Sequence, residues 1–227
     1  MKLILFDIDG TLVNSGGAGH RAFSRALEST LGIGGGLNGV RLDGKTDLQI
    51  VREVFDCRGM EEEISQESAR ELFENYVGFL REELEIVGDG YQVLPGVEDL
   101  LAYLGRSSSA LLGVATGNIK EGAWLKLEHG NLNQFFVVGG YGSDSESRTE
   151  LIRVAIDRAK ERTHVTSTVV IGDTPRDIQH GKQAGAQVVA VASGYYSLSE
   201  LEGYGPDLCV ESLEPNEAIV QFLSVDR

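Results

Sequence analysis

Leu3-Ile4-Leu5-Phe6-Asp7-Ile8-Asp9-Gly10-Thr11 decides the fold of this chain. Four apolar residues in a row suit a strand buried on both faces, as parallel sheets require, and the abrupt change to acid and glycine marks the loop at its carboxyl end. Residues two apart on an extended chain point to the same side, so Asp7 and Asp9 are expected to face one pocket. In open α/β sheets that end of the strand is where ligands bind.

Working outward, comparable apolar runs recur at residues 110–115, 135–139, 168–172, 187–192 and 208–211. Between them, Val97, Leu100, Leu101 and Leu104, then Leu151, Ile152, Ala155, Ile156 and Ala159, fall at helical spacing. Alternating strands and helices predict an α/β fold with a mainly parallel sheet. The interval before residue 110 is far longer than the roughly thirty residues a strand–helix–strand crossover needs. It holds three more helical stripes: Phe23, Ala26, Leu27 and Leu31; Leu48, Val51, Val54 and Phe55; and Leu72, Phe73, Tyr76, Val77 and Leu80. The expected organisation is a core formed by residues 1–15 and 91–227, with a helical insert, residues 16–90, docked over the sheet. Gly16-Gly17 and Gly88-Asp89-Gly90 are hinges or plain turns, and Leu94-Pro95-Gly96 marks the return to the core. Gly34-Gly35-Gly36 follows no strand and precedes no Lys-Ser/Thr pair, so it reads as an interhelical loop rather than a phosphate loop.

The 227 residues carry 20 Lys+Arg against 35 Asp+Glu, a net charge of −15. Such a surface repels nucleic acid and anionic membranes, and any anionic ligand has to be held by local cations. Cys57 and Cys209 form no CxxC pair and are expected to be buried apolar residues in a reducing cytosol. No apolar run approaches a membrane span, and the chain is read as beginning at Met1 in the cytoplasm.

Two carboxylates as close as those of Asp7 and Asp9 repel unless a cation intervenes. Mg²⁺ answers that need, being a hard ion that takes oxygen ligands and is completed by substrate phosphate. Further acids stand in Gly172-Asp173-Thr174-Pro175-Arg176-Asp177, directly after the apolar residues 168–171. A helix cap at Asp173 accounts for one of these acids but not for a second acid pair at a second strand end.

These motifs resemble the haloacid dehalogenase superfamily, in its branch of capped phosphatases similar to phosphoglycolate phosphatase. The resemblance spans essentially the whole chain and implies a Rossmann-like three-layer core with a helical cap domain inserted after the first strand. It implies that Asp7 is the nucleophile, Asp9 the general acid/base, and Thr116 of Thr116-Gly117-Asn118 the hydroxyl that binds the transferring phosphoryl group. Asp173 and Asp177 would serve the metal together with Asp7 and Asp9. Where relatives carry Lys, this chain has Arg148, 25 residues before Asp173. The swap keeps the charge but exchanges a point charge for a planar fork. A second departure is Asn14-Ser15 in place of Asp-Ser. The loop Arg41-Leu42-Asp43-Gly44-Lys45-Thr46 resembles the cap's specificity loop, so Arg41, Gly44, Lys45 and Thr46 join Gly117 and Asn118 as candidate substrate contacts. His20 reads as either a hinge-side contact or an ordinary helix-surface residue.

The activity these readings imply is Mg²⁺-dependent hydrolysis of a small phosphorylated metabolite, phosphoglycolate-like or a sugar phosphate, through an aspartyl-phosphate. No nucleic-acid or membrane partner is expected. A phosphomutase of the same superfamily shares every core residue. Carbon–halogen hydrolysis fits less well, since that branch lacks an acid where Asp9 stands. A phospho-accepting signalling domain lacks the long helical insert, and a non-catalytic binding protein has little reason to keep four acids.

Overall fold

The computed structural model describes residues 1–60, 64–214 and 217–223. Its strands are β1 (Lys2–Phe6), β2 (Val13–Asn14), β3 (Gln92–Val93), β4 (Ala110–Ala115), β5 (Val138–Gly140), β6 (Ser167–Gly172), β7 (Gln187–Val191) and β8 (Leu208–Val210). Its helices are α1 (Ala18–Leu31), α2 (Asp47–Cys57), α3 (Gln66–Ile86), α4 (Val97–Gly105), α5 (Lys120–His129), α6 (Arg148–Lys160), α7 (Pro175–Gln183), α8 (Leu198–Glu202) and α9 (Glu217–Leu223).

Strands pair in the order β5-β4-β1-β6-β7-β8, all parallel. The first strand is therefore central, with β4 on one side (Phe6 opposite Val114) and β6 on the other (Phe6 opposite Ile171). Alternation along β1 sends Ile4 and Phe6 into a core shared with α4, α5 and α9, and Leu3 and Leu5 into a core shared with α6. Both faces are covered, which is why β1 reads as an uninterrupted apolar run. Each such side chain fully buried contributes about 1.5–3 kcal/mol.

The strand expected at residues 135–139 is shorter and later. Asn133–Phe135 is a 3-10 turn and β5 begins only at Val138, because Phe135 and Phe136 pack into the core as its anchor. Phe136 meets Phe6 edge-on, with ring centroids 5.9 Å apart.

Between β2 and β3 lie α1, α2 and α3, whose apolar stripes form their own core. The stripes match those expected, except that Ile50 is buried while Leu48 is only partly so. Ile119 and Leu125 of the α5 region join this core, fastening the helical segment to the sheet domain. Glu83, buried on α3, ties α1 in place through Arg21 (2.6 Å) and Arg25 (2.9 Å). The chain leaves and re-enters through the antiparallel pair β2-β3, with Asn14 opposite Gln92. There Gly16 takes a φ of 58°, and a Cβ on it would lie 2.5 Å from the Gly90 carbonyl oxygen, so the two crossing segments touch backbone to backbone. Cys57 does not behave as expected: it is exposed at the open end of α2, and Cys209 is half-buried.

Close backbone approach also joins sheet to helix at Gly140, where an added Cβ would lie 1.8 Å from the Leu151 carbonyl oxygen. Gly140→Ala is expected to lower unfolding free energy by about 3 kcal/mol or more, since α6 has to retreat from β5. Gly78, exposed inside α3 with open space around it, behaves oppositely. Gly78→Ala is expected to add about 0.5–1 kcal/mol. Urea unfolding midpoints check both, and an unchanged midpoint in Gly140→Ala would contradict the α6–β5 packing.

Candidate active site

Strand order brings three loops together at the carboxyl edge of the sheet: Asp7 after β1, Thr116 after β4 and Asp173 after β6. The Asp7 N–H donates to the Ile171 carbonyl (2.9 Å) and the Thr116 N–H to that of Gly140 (3.0 Å), so both loops leave the sheet in register. Arg148 is the first residue of α6, whose N-terminus is capped by Ser147 accepting from the Glu150 N–H. Side chains in a helix lean toward its N-terminus, which aims the buried Arg148 at the strand ends.

The Arg148 Nη2 lies 3.2 Å from Asp7 Oδ2 and also donates to Asp177 Oδ1. Asp177 Oδ2 accepts from the Thr174 N–H (3.0 Å) and hydroxyl (2.6 Å), a capping box that starts α7 behind Pro175. Asp173 Oδ1 accepts from the Thr11 hydroxyl at 3.1 Å. Its other oxygen sits in a slot of glycines, for a Cβ on Gly10 or Gly194 would approach Asp173 Oδ2 to 2.3 or 1.8 Å.

Asp7, Asp173 and Asp177 each offer a carboxylate oxygen within 4.8 Å of the others, and all three are buried. Burial, together with the nearby Asp177 charge, pushes the Asp7 carboxyl up to about 6 in spite of Arg148. Burial and the charges of Asp177 and Asp7 raise Asp173 well above the carboxylate range. For Arg148, burial works to lower its pKa, and the two aspartates more than offset it. With all three carboxylates ionised, the one guanidinium leaves an excess of two negative charges, which, on top of burial, is why the unliganded group tends to hold protons. An all-oxygen donor set with that excess fits a hard divalent cation. Asp7 and Asp173 would hold it, with Asp177, whose oxygens also accept from Arg148 and Thr174, offering the third carboxylate of the group.

Asp9 belongs to a second network. Its Oδ2 accepts from Lys126 Nζ (2.6 Å) and from Asn118 Nδ2 (2.8 Å), while Lys126 also donates to Asn118 Oδ1 (2.8 Å). Asn118 Nδ2 reaches the Thr116 hydroxyl at 2.8 Å. Asp9 is thus partly exposed and faces the insert, with its carboxylate outside the three-acid group.

A cavity of about 380 Å³ lies over both networks. Asp7, Asp9, Thr116, Asn118, Lys126 and Arg148 line its floor, with Gly117 and Asp173 beside them. The insert closes it with Phe23, Leu37, Leu42, Ile50, Tyr76 and Asp47, and His20 stands exposed at its edge. Of the candidate contacts on the insert loop, Gly44 and Lys45 line the cavity. Arg41 is exposed and, like Thr46, is not among the lining residues. The Lys45 ammonium is paired with Glu53 and also donates to the Arg41 carbonyl (2.6 Å). Thr46 caps α2 in a capping box with Gln49. This loop presses directly on the core: a Cβ on Gly117 would lie 2.1 Å from the Lys45 carbonyl oxygen.

A sequence profile of the haloacid dehalogenase-like hydrolases matches residues 4–191. The chain belongs to this family. A phosphoglycolate phosphatase of Synechococcus elongatus is 31% identical over 121 residues, which is 53% of this chain and 56% of that protein. One from Vibrio vulnificus is 26% identical over 223 residues, 94% of this chain and 93% of its own length. In fold, a β-phosphoglucomutase from Clostridium difficile superposes with a TM-score of 0.70 at 18% identity, covering 97% of this chain and 96% of that one.

Sequence reading of this haloacid dehalogenase-like hydrolase passes over Lys126 and Asp47. In Leu125-Lys126-Leu127 the lysine looks solvated, yet α5 is buried at Gly122, Ala123, Leu125, Lys126 and Leu127. That near-continuous burial is the available signal, for a lysine inside such a helix needs an acid. Asp47 looks like an ordinary helix-start acid on α2. Instead its N–H donates to the Gly117 carbonyl (2.9 Å) and its Oδ2 accepts from the Ile119 N–H (2.7 Å), so it caps α5 from the insert.

Burial pushes the Asp47 carboxyl up to about 6 despite the Ile119 hydrogen bond and the Lys126 charge. A folded value above the unfolded 3.8 means that the native state retains a proton the unfolded chain has lost, so stability falls as pH rises from about 4 to 6. Asn keeps the acceptor without the charge. Asp47→Asn is therefore expected to be more stable than wild type at pH 8 by about 2 kcal/mol, with the advantage shrinking as pH falls from about 6 to 4. Urea unfolding across that range in the presence of chelator measures it, and a pH-independent difference would refute the charge argument.

Proposed function

We propose that this hydrolase is a Mg²⁺-dependent phosphatase acting on small phosphorylated metabolites, the phosphoglycolate-like and sugar phosphates, through an aspartyl-phosphate on Asp7. The observation that carries this reading is the pairing of Asp7 with Arg148. A buried carboxylate stands at the strand end beside a guanidinium whose Nε is itself buried and has no hydrogen-bond partner. Such a donor, on a residue lining the cavity, awaits an anion.

When bound, Mg²⁺ supplies charge neutralisation to the acids and to the transferring phosphate oxygens. An Asp7 carboxylate oxygen attacks phosphorus, forming the acyl phosphate bond as the ester P–O bond breaks. Arg148 and the Thr116 hydroxyl orient and stabilise the equatorial oxygens, where most of the catalysis of phosphoryl transfer resides. Asp9 gives its proton to the departing alcohol oxygen. It then takes one from the water that attacks phosphorus and returns Asp7 to a carboxylate with release of phosphate. Lys126 and Asn118 hold the Asp9 carboxylate toward the insert, on the side where a leaving group would lie. The helical segment, residues 16–90, acts as the cap that shuts water out during attack. Its glycine crossings at Gly16 and Gly90 serve as the hinge. Relatives with phosphatase names covering nearly the whole chain support the reaction class. Unpaired Cys57 and Cys209 suit a reducing cytoplasm.

Wild type is expected to release phosphate from p-nitrophenyl phosphate with Mg²⁺ and to stop when the metal is chelated. Asp7→Asn is expected to lose about 10³-fold or more in kcat, and Asp9→Asn about 10²- to 10⁴-fold. Full turnover by Asp7→Asn removes the covalent route, and activity indifferent to chelator removes the metal.

A further inference from the structure

The cavity has two chemically different ends, and only one of them is built for an anion. At the sheet end, Arg148 keeps an unpartnered Nε and Thr116 offers a hydroxyl. At the end under the insert, every ammonium group lining the cavity already has an acid. Lys126 is held by Asp9 at 2.6 Å, and Lys45 by Glu53. A second anionic group on the substrate has to displace Asp9 to reach Lys126, and so disturb the proposed acid/base.

The remaining wall of that end includes Phe23, Leu37, Leu42, Ile50 and Tyr76, together with the polar Asn14, Ser15, His20 and Asp43. All of the apolar ones but Leu42 are buried side chains of the insert core, fixed by packing rather than free to turn away. Among them stands Asp47, whose carboxylate is buried in the same wall and is held there by the Ile119 N–H. A carboxylate or second phosphate placed here meets apolar surface and a like charge, with loss of its own hydration. An alkyl or aryl body meets a matching surface.

We infer that the leaving group is an uncharged alcohol with an apolar body, so that the preferred substrate is a phosphomonoester without a second anionic group. This rests on the phosphatase reading and narrows its substrate within small phosphomonoesters, setting aside phosphoglycolate-like esters for their second anion and sugar phosphates for their polyol body. Asp47 and the Lys126–Asp9 pair act as the discriminating residues, the first by repulsion and the second by leaving no unpaired ammonium in the lining.

The test compares phosphoglycolate with isobutyl phosphate, in which an isopropyl group replaces the carboxylate at nearly the same shape. Rates are measured with Mg²⁺ on wild type and on Asp47→Asn, with p-nitrophenyl phosphate as the general probe. For wild type the kcat/KM for isobutyl phosphate is expected to exceed that for phosphoglycolate by at least fivefold. Any smaller ratio, or preference for phosphoglycolate, overturns the inference while leaving the phosphatase reading intact. In Asp47→Asn the ratio is expected to narrow at least threefold, and an unchanged ratio overturns the role of Asp47. Failure to hydrolyse any of the three esters overturns the phosphatase reading, and the inference with it.

Discussion

Three buried carboxylates in one cluster, two of them paired with a single guanidinium, set the terms for the rest of the molecule. Placing Asp7, Asp173 and Asp177 within reach of one another is unfavourable, since each loses hydration and each repels the others. The arrangement persists because rigid elements enforce it. β1 and β6 are neighbouring central strands, so the loops after them have nowhere else to go. The α7 capping box clamps Asp177, and glycines at 10 and 194 leave room for Asp173 and nothing larger. Stability gained in the two-sided hydrophobic core offsets this local repulsion at one edge of the sheet.

The helical insert is coupled to that edge through a single stretch of backbone. Gly117 accepts from the Asp47 N–H and Ile119 donates to its carboxylate, while Asn118 between them touches Asp9, Thr116 and Lys126. Docking of the insert and positioning of the Asp9 carboxylate therefore share three consecutive residues. Gly117 has no Cβ because the Lys45 carbonyl occupies that space, so closure depends on glycine at that position. An insert that lifts away surrenders the Asp47 contacts and uncaps α5, loosening the helix that carries Lys126.

Much of this was legible beforehand because parallel strands advertise themselves. The run Leu3 to Phe6 has to be buried on both faces, and acids at its end have to face the carboxyl edge. The helical stripes of the insert follow from periodicity in the same way. Lys126 escapes because a lone lysine in a helix is ordinarily solvated. Only the docking of insert against core, a contact distant in sequence, buries it. Lys45 shows the converse, for a loop lysine that looks available for substrate is paired with Glu53, nearly two turns into α2. β5 was misplaced because Phe135 and Phe136 satisfy strand propensity while serving as core anchors outside the ladder.

The overall charge of −15 sharpens the meaning of these pairings. Beyond about 8–10 Å, salt screens the field of the surface acids, so a phosphate approaching the cavity mouth is opposed only weakly. Inside, screening is poor and the local balance decides. Arg148 cannot lose its charge, and its geometry offers several donors in one plane, so Nη2 is bonded to Asp7 and Asp177 while the buried Nε has no hydrogen-bond partner. A lysine in its place has a single nitrogen for both aspartates. Arginine at this position therefore neutralises the buried acids through one nitrogen and keeps a second donor without a partner, a division of labour that the single nitrogen of a lysine does not offer.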